Sequence, residues 1–369
     1  MNPGTCRAVS GIVPARPVIS RDVASARAAG LRYVGASEPG IARVRHGAGF
    51  TYRDARGHSV RDPRTLARIR GLVIPPAWTD VWICADQNGH LQATGRDARG
   101  RKQYRYHHKW TLERDSGKYG RTVEFALALP AIRRRVSADL KKAPLSREFV
   151  LATVVRLLEK TLIRIGNKEY ARANKSFGLT TLQDQHVQIK GGSMRFTFRA
   201  KSGVMQDIQV NDVTLARIVS KCRGLPGRAL FQYVASNGKA QCVDSTDVNA
   251  YLKDITGQSF TAKNFRTWAG TVLAAAALCE CPAPASEAAY KRSVVQAVDT
   301  VSTKLGNTRA VCRRCYVHPA VFEAFRSGVT IENSGLKAGP RRANFSVAEA
   351  AVLALLKRRI HPPSARVAA

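Results

Sequence analysis

The sequence predicts an α+β protein: a β-rich module toward the amino terminus, then a mostly helical region that receives a small β-sheet insert. Three observations predict it. Short β-branched and aromatic runs bounded by turn residues fill residues 30–115. From about Tyr119 onward, apolar residues recur at helical spacing. Between those helices, alternating runs flank Gly191-Gly192 and Ala200-Lys201-Ser202-Gly203, the signature of two successive hairpin turns.

Taken in order, Ser20–Ala29 reads as a short helix that Gly30 closes, since glycine tolerates the left-handed conformation that ends helices. Leu31–Val34 and Phe50–Arg53 read as strands, the second turning through Gly57. Asp62 caps a helix through Arg70, and Pro75-Pro76 breaks the chain. Asp80–Cys84 and His90–Gly95 form a hairpin about Asn88-Gly89, a strong hairpin dipeptide. Leu151, Val154, Val155, Leu158 and Leu162 mark a helix over Arg147–Leu162. The inserted sheet takes His186–Lys190, Met194–Arg199 and Val204–Val210, which puts Lys201 on a hairpin tip. Helices resume near Asp212, at Asp247–Ile255, Ala262–Cys279 and Ser286–Leu305. A short helix around Tyr316 and a last one over Ser346–Arg359 complete the chain.

The balance of charge narrows the function. The 369 residues carry 60 Lys+Arg against 26 Asp+Glu, a net charge of +34, while 44% apolar residues suffice for two real cores. A cation surplus of this size implies a polyanionic partner, and nucleic acid is the expected one. No apolar run approaches the roughly 20 residues of a membrane span, so no membrane role is expected. Residues 1–30 hold four arginines and one acid, Asp22, without an apolar core of a signal peptide. Residues 1–19 are therefore expected to be a disordered basic arm. The eight cysteines are expected to be reduced. Cys279-x-Cys281 with Cys312-x-x-Cys315 is poorly spaced for zinc, so no metal site and no cofactor are expected.

Residues Gly95–His107 place six Arg, Lys or His among two tyrosines. Cations reach phosphates and tyrosines pack on sugars or bases, so this segment is expected to be a DNA-facing loop built on Arg96, Arg99, Arg101, Lys102, Gln103, Tyr104 and Tyr106. Further on, Arg164, Lys201, Arg266 and Asn307 precede Tyr316. A phenol is a weak nucleophile at neutral pH, with a free pKa near 10. Two guanidiniums beside it favour the phenolate and stabilise the charge that gathers on a phosphorus under attack. A lysine on a hairpin tip suits a general acid for the leaving alkoxide, and Asn307 can donate to a non-bridging oxygen. Arg164 follows an apolar helical stretch, where an unpaired cation is costly, so a partner is implied.

These residues carry a resemblance. Arg164-Ile165-Gly166-Asn167-Lys168-Glu169-Tyr170 with Gly178-Leu179-Thr180-Thr181-Leu182 is similar to the first catalytic-arginine segment of the bacterial, poxvirus-type type IB DNA topoisomerases. Phe198-Arg199-Ala200-Lys201-Ser202-Gly203 resembles their catalytic-lysine hairpin, and Lys263-Asn264-Phe265-Arg266-Thr267-Trp268 their second arginine. Leu305-Gly306-Asn307-Thr308 and Cys315-Tyr316-Val317-His318-Pro319 resemble their final donor and nucleophile, and Gln92–Asp97 through Tyr104-Arg105-Tyr106 their DNA-clamp segment. The resemblance spans roughly residues 20–350. Many members have histidine where Asn307 stands, so an electrostatic role is implied there. The resemblance implies a tyrosine recombinase/topoisomerase IB-like fold, with an amino-terminal clamp domain over 20–117 and a catalytic domain over 118–369. It implies a C-shaped clamp on duplex DNA, a 3′-phosphotyrosyl intermediate, and relaxation of supercoils without ATP or metal. The protein is expected to be a monomer in the cytoplasm, on the nucleoid. The alternatives are a tyrosine recombinase and a non-catalytic DNA-binding protein. Recombinases usually have histidine three residues before the second arginine, where Lys263 stands here.

Overall fold

The computed structural model describes residues 21–223, 225, 227–332 and 345–360; the expected basic arm over 1–19 lies outside them. The chain divides into two compact units at Lys118/Tyr119.

The first unit begins with α1 (Arg21–Ala28) and centres on a five-stranded antiparallel sheet. Its strands are β1 (Gly40–His46), β2 (Gly49–Arg53), β3 (Thr79–Cys84), β4 (Leu91–Arg96) and β5 (Lys102–Tyr106), in the order β2-β1-β3-β4-β5. Helix α2 (Pro63–Gly71) starts as its sequence asks: Asp62 accepts from Thr65 N at 2.8 Å, and proline stands in the first turn, where no amide is needed. Ile69 of α2 packs with Ile41, Val81, Ile83 and Ala93 of the sheet to form the core of this unit.

Two expectations for this unit are corrected. Leu31–Val34 is not a strand: only Arg32 makes a bridge, to Gly89. Side chains occupy the groups a ladder would use, since Val34 N donates to His90 Nδ1 at 3.0 Å and the Tyr33 ring stacks on His90. The basic segment is not a loop throughout either. Lys102–Tyr106 is an edge strand paired with β4, and only the turn before it, where Asp97 N bonds Arg101 O, is irregular. Strand alternation therefore splits the expected DNA-facing residues between two faces. Strand β1, whose Gly-Ile-Ala-Arg-Val-Arg-His sequence offers little apolar alternation, was not legible beforehand.

The division between the units falls within α3 (His108–Asp139). The second unit continues with α4 (Arg147–Thr161), α5 (Lys168–Asn174), β6 (Val187–Lys190), β7 (Ser193–Arg199), β8 (Met205–Asn211), α6 (Val213–Cys222), β9 (Gln232–Val234), β10 (Ala240–Cys242) and α7 (Ser245–Thr256). It closes with α8 (Ala262–Cys279), α9 (Glu287–Leu305), α10 (Arg309–Cys315), α11 (Pro319–Arg326) and α12 (Val347–Ile360). β6, β7 and β8 form the inserted antiparallel sheet, while β9 and β10 form a separate two-stranded ribbon.

Helix α4 is the axis of this unit. Phe149 to Val155 are buried without a break, followed by Leu157 and Leu158, so these two turns of the helix are enclosed on all sides. It is capped by Ser146, whose Oγ accepts from Phe149 N, and ends at Leu162, which adopts the left-handed region at φ 56°. That conformation is costly for a side chain with a Cβ. It turns the chain out of the helix and leaves the Leu162 carbonyl free of the α4 ladder. The short helix expected around Tyr316 is in fact two. α10 ends at Tyr316, and His318-Pro319 opens α11, because the residue before proline is disfavoured in the α region.

One buried charge organises α3 and α7. Asp139 accepts from the Tyr251 hydroxyl at 2.8 Å and pairs with Arg135 at 2.8 Å and Lys142 at 3.0 Å. Burial alone would push its carboxyl up, but these three bonds outweigh it and hold the carboxyl below the ordinary carboxylate value. A depressed carboxyl contributes stability above its unfolded value and loses it as pH falls through the folded one. Tyr251→Phe is accordingly expected to cost about 1–2 kcal/mol at neutral pH, with the gap to wild type narrowing in acid, as read from urea unfolding across an acid titration.

Candidate active site

The site forms where four segments of the second unit meet. Past the left-handed Leu162, the chain runs extended through Arg164 and is pinned along its backbone. Leu179 N donates to Arg164 O at 2.9 Å and Thr180 N to Ile165 O at 2.7 Å. Asn167 then caps α5 by accepting from Tyr170 N at 3.1 Å. The pinning demands glycine at 178, where a Cβ would lie 2.5 Å from both Arg164 O and Gly166 N.

Both guanidiniums turn toward the end of α9. Arg164 donates to Gly306 O at 3.3 Å and to Asn307 Oδ1. Arg266, on α8, donates to Leu305 O at 2.7 Å and to the carbonyl that Leu162 leaves free. Gly306 caps α9 in the left-handed region and so exposes these acceptors. Arg266 is only 4% exposed, its Nε makes no hydrogen bond of ordinary geometry, and its guanidinium stands 5.1 Å from the centroid of the Tyr316 ring. Burial, followed by the nearby Arg164 charge, pushes the Arg266 guanidinium below its ordinary value, and Tyr316 partly offsets this. Among the described residues no carboxylate is among the groups that act on it most strongly. The Asn307 amide nitrogen is buried and, among the described residues, also lacks a partner. Donors are thus fixed in place with N–H groups still unused, the arrangement that stabilises charge developing on an anion.

The structure brings Arg164, Arg266, Asn307 and Tyr316 together. Lys201 stands apart, exposed on the turn of residues 201–203 between β7 and β8, with Ser202 at φ 66°. Among the described residues its ammonium makes no hydrogen bond or ion pair. Its neighbour Ala200, however, lines one narrow cavity with Arg164, Arg266 and Gln206. Phe177 N also ties the base of this turn to the arginine segment by donating to Arg199 O at 2.8 Å.

The other candidates lie on the first unit. Lys102, Tyr104 and Tyr106 are exposed on one face of β5, the two tyrosines stacked at 6.0 Å with the Lys102 ammonium 5.8 Å from the Tyr104 ring. Gln103 is half-buried on the other face and donates to Asp97 at 2.9 Å. Asp97 also pairs with Arg101 at 2.7 Å, and that guanidinium pulls its carboxyl down to about 2. Arg96 is exposed beside Asp80 at 3.3 Å, and Arg99 is exposed in the turn. Among the described residues no group of three His, Cys, Asp or Glu could hold a metal ion. No described helix is long and apolar enough to cross a membrane.

Comparison with known proteins decides the family. Residues 101–336, well over half the chain, match the family described as eukaryotic DNA topoisomerase I, catalytic core. The chain belongs to the type IB DNA topoisomerases. Residues 49–97 of this topoisomerase match the bacterial DNA topoisomerase IB amino-terminal domain. It is 29% identical to the DNA topoisomerase 1B of Acanthamoeba polyphaga mimivirus over 295 residues, 78% of this chain and 88% of the relative. It is 21% identical to the DNA topoisomerase 1B of Vaccinia virus (strain Copenhagen) over 265 residues, 69% of this chain and 80% of the relative. The DNA topoisomerase I of Monkeypox virus is 22% identical over 266 residues, with the same shares. The topoisomerase is of the poxvirus type and relaxes DNA by the type IB mechanism, with DNA as its partner.

Sequence reasoning missed the acceptors in this site. The carbonyls of Leu162, Leu305 and Gly306 leave no side-chain signature, although the left-handed Gly306 after α9 was detectable as a helix stop. Gly178→Ala is expected to lower stability by about 1–3 kcal/mol and to slow strand cleavage by up to about 100-fold through displacement of Arg164. Thermal melting and single-turnover cleavage would measure the two effects, and a variant that kept the wild-type cleavage rate would contradict the assignment.

Proposed function

We propose that Tyr316 is the nucleophile of this topoisomerase. The observation that carries this reading is the Tyr316 ring 5.1 Å from a buried, carboxylate-free Arg266 whose neighbour is Arg164. The phenolic oxygen attacks a backbone phosphorus, the bond to the 5′-oxygen breaks, and a 3′-phosphotyrosyl ester forms. Arg164, Arg266 and the Asn307 amide take the charge on the non-bridging oxygens. Asn307 orients Arg164 through its Oδ1 and donates through its nitrogen, so its part is electrostatic. Lys201 swings on its exposed turn to protonate the departing 5′-oxygen and takes the proton back on religation. The ester conserves the energy of the broken bond, so neither ATP nor metal enters the reaction.

Arg96, Arg99, Arg101, Lys102, Gln103, Tyr104 and Tyr106 hold duplex DNA on the first unit. Lys102, Tyr104 and Tyr106 present a continuous cationic and aromatic face, while Gln103 braces Asp97 beneath the turn. The protein acts as a monomer on the nucleoid in the cytoplasm, since one chain carries every group the reaction requires.

Tyr316→Phe should abolish relaxation of supercoiled plasmid in chelator without nucleotide, while DNA affinity, which many cations share, stays nearly unchanged. Relaxation by the variant, or a wild-type need for ATP, would overturn the mechanism. Lys201→Ala should slow cleavage and religation together by roughly 10²–10⁴-fold. A substrate with sulfur at the 5′-bridging position needs little protonation to leave, so on it Lys201→Ala should approach the wild-type rate and Arg266→Ala should not. Rescue of both variants alike would remove Lys201 from the acid role.

A further inference from the structure

Helix α8 presents two further residues to the nucleophile. Gly270 lies one helical turn beyond Arg266 and therefore on the same face. A Cβ at 270 would stand 2.6 Å from Tyr316 O and 3.2 Å from Tyr316 Cβ, so only glycine lets this backbone come so close. The next residue, Thr271, is 0% exposed. Its Oγ1 donates to Thr267 O at 2.8 Å, which fixes the hydroxyl proton and turns a lone pair outward. That lone pair accepts from His318 N at 3.1 Å; Tyr316 O lies 3.5 Å from the same oxygen and competes only weakly with Thr267 O for its one proton. One hydroxyl thus grips the link through its His318 end, one residue past Val317.

The Tyr316–His318 link needs such a hold. It joins two helices and belongs to neither. Tyr316 N closes α10 on Cys312 O at 2.9 Å, and His318 Nδ1 opens α11 by accepting from Ala320 N at 3.1 Å. Tyr316 itself sits at φ −126° and ψ −6°, outside the helical range. Its angle to Arg266 is therefore set by what grips the link and not by continuation of a helix. Ala274, Ala275 and Leu278, three, four and seven residues on, are buried with Thr271 on α8, and valine matches threonine in shape. The hydroxyl is what an apolar residue could not supply.

We propose that Thr271, seated by Gly270, is a positioning residue that sets Tyr316 against Arg266. The proposal rests on Tyr316 being the nucleophile, and the test separates the two. In the full chain, Thr271→Val keeps the shape and removes the hydroxyl, whereas Thr271→Ser keeps the hydroxyl and removes a buried methyl. On saturating duplex, Thr271→Val should form the covalent adduct about 10–100-fold more slowly, with Kd within about twofold of wild type. Thr271→Ser should cleave within about threefold of wild type, although its lost methyl lowers the melting temperature. Activity should follow the hydroxyl and not the stability. A wild-type rate for Thr271→Val, or rates that track melting temperature in both variants, would overturn the proposal. Tyr316→Phe is run in parallel. If it is inert while Thr271→Val is fully active, the positioning role alone fails; if it still forms the adduct, the nucleophile assignment fails and the positioning role with it.

Discussion

The turn at Leu305-Gly306-Asn307 is the point on which this structure depends, because it receives both arginines of the site. Arg266 bonds Leu305 O, and Arg164 bonds Gly306 O and Asn307 Oδ1. The buried Arg266 misses its water and is repelled by the half-buried Arg164 beside it, and among the described residues no carboxylate pairs with either. Neutral carbonyl dipoles hold them instead. They orient the guanidiniums without neutralising them, so the cluster retains its attraction for an anion. A carboxylate in the same place would have made a stabler protein with a weaker hold on phosphate.

The remaining helices keep this turn and α8 in register. Glu349 of α12 accepts from Trp268 Nε1 at 3.1 Å and from Arg133 at 2.7 Å. Trp268 lies two residues from Arg266, so the last helix braces the one that carries the second arginine. Burial would push the Glu349 carboxyl up, but the bonds from Arg133 and Ser346 outweigh it and keep it ionised. Arg133, on α3, also binds Glu159 of α4 at 2.6 Å, so one guanidinium ties α3 to both α4 and α12. In contrast to Arg164 and Arg266, this arginine is matched by two acids. Arginines paired with carboxylates thus stand apart from arginines held by carbonyls.

The first unit follows the same division. Arg32 pairs with Glu38 and Asp86, and Arg43 caps the carbonyls of Pro75 and Trp78, so these cations build the unit. Lys102, Tyr104 and Tyr106 have no such task and line an exposed strand face. With a net charge of +34, most of the surplus cation must stand on the surface. On β5 two stacked tyrosines share the exposed face with Lys102.

The sequence by itself determined the local features. Helices α4, α8 and α9, the Asn88-Gly89 hairpin and the Lys201 turn were legible, because periodicity, caps and turn residues act over a few positions. Arg164, Arg266, Asn307 and Tyr316 could be picked out as donors and a phenol without a carboxylate, and they do meet in the fold, whereas Lys201 stands apart from them. The tertiary structure decided what those residues touch. Arg266 meets Leu162 O across 104 positions, and Arg164 meets Asn307 across 143. Acceptors of this kind are backbone carbonyls, which every residue possesses, so no residue type announces them. The same reason hid Thr271, one hydroxyl in an apolar helix whose partner amide lies 47 positions away. Strand β5 was hidden as well: its charges read as part of a DNA-facing loop until pairing with β4 gave its alternation two faces.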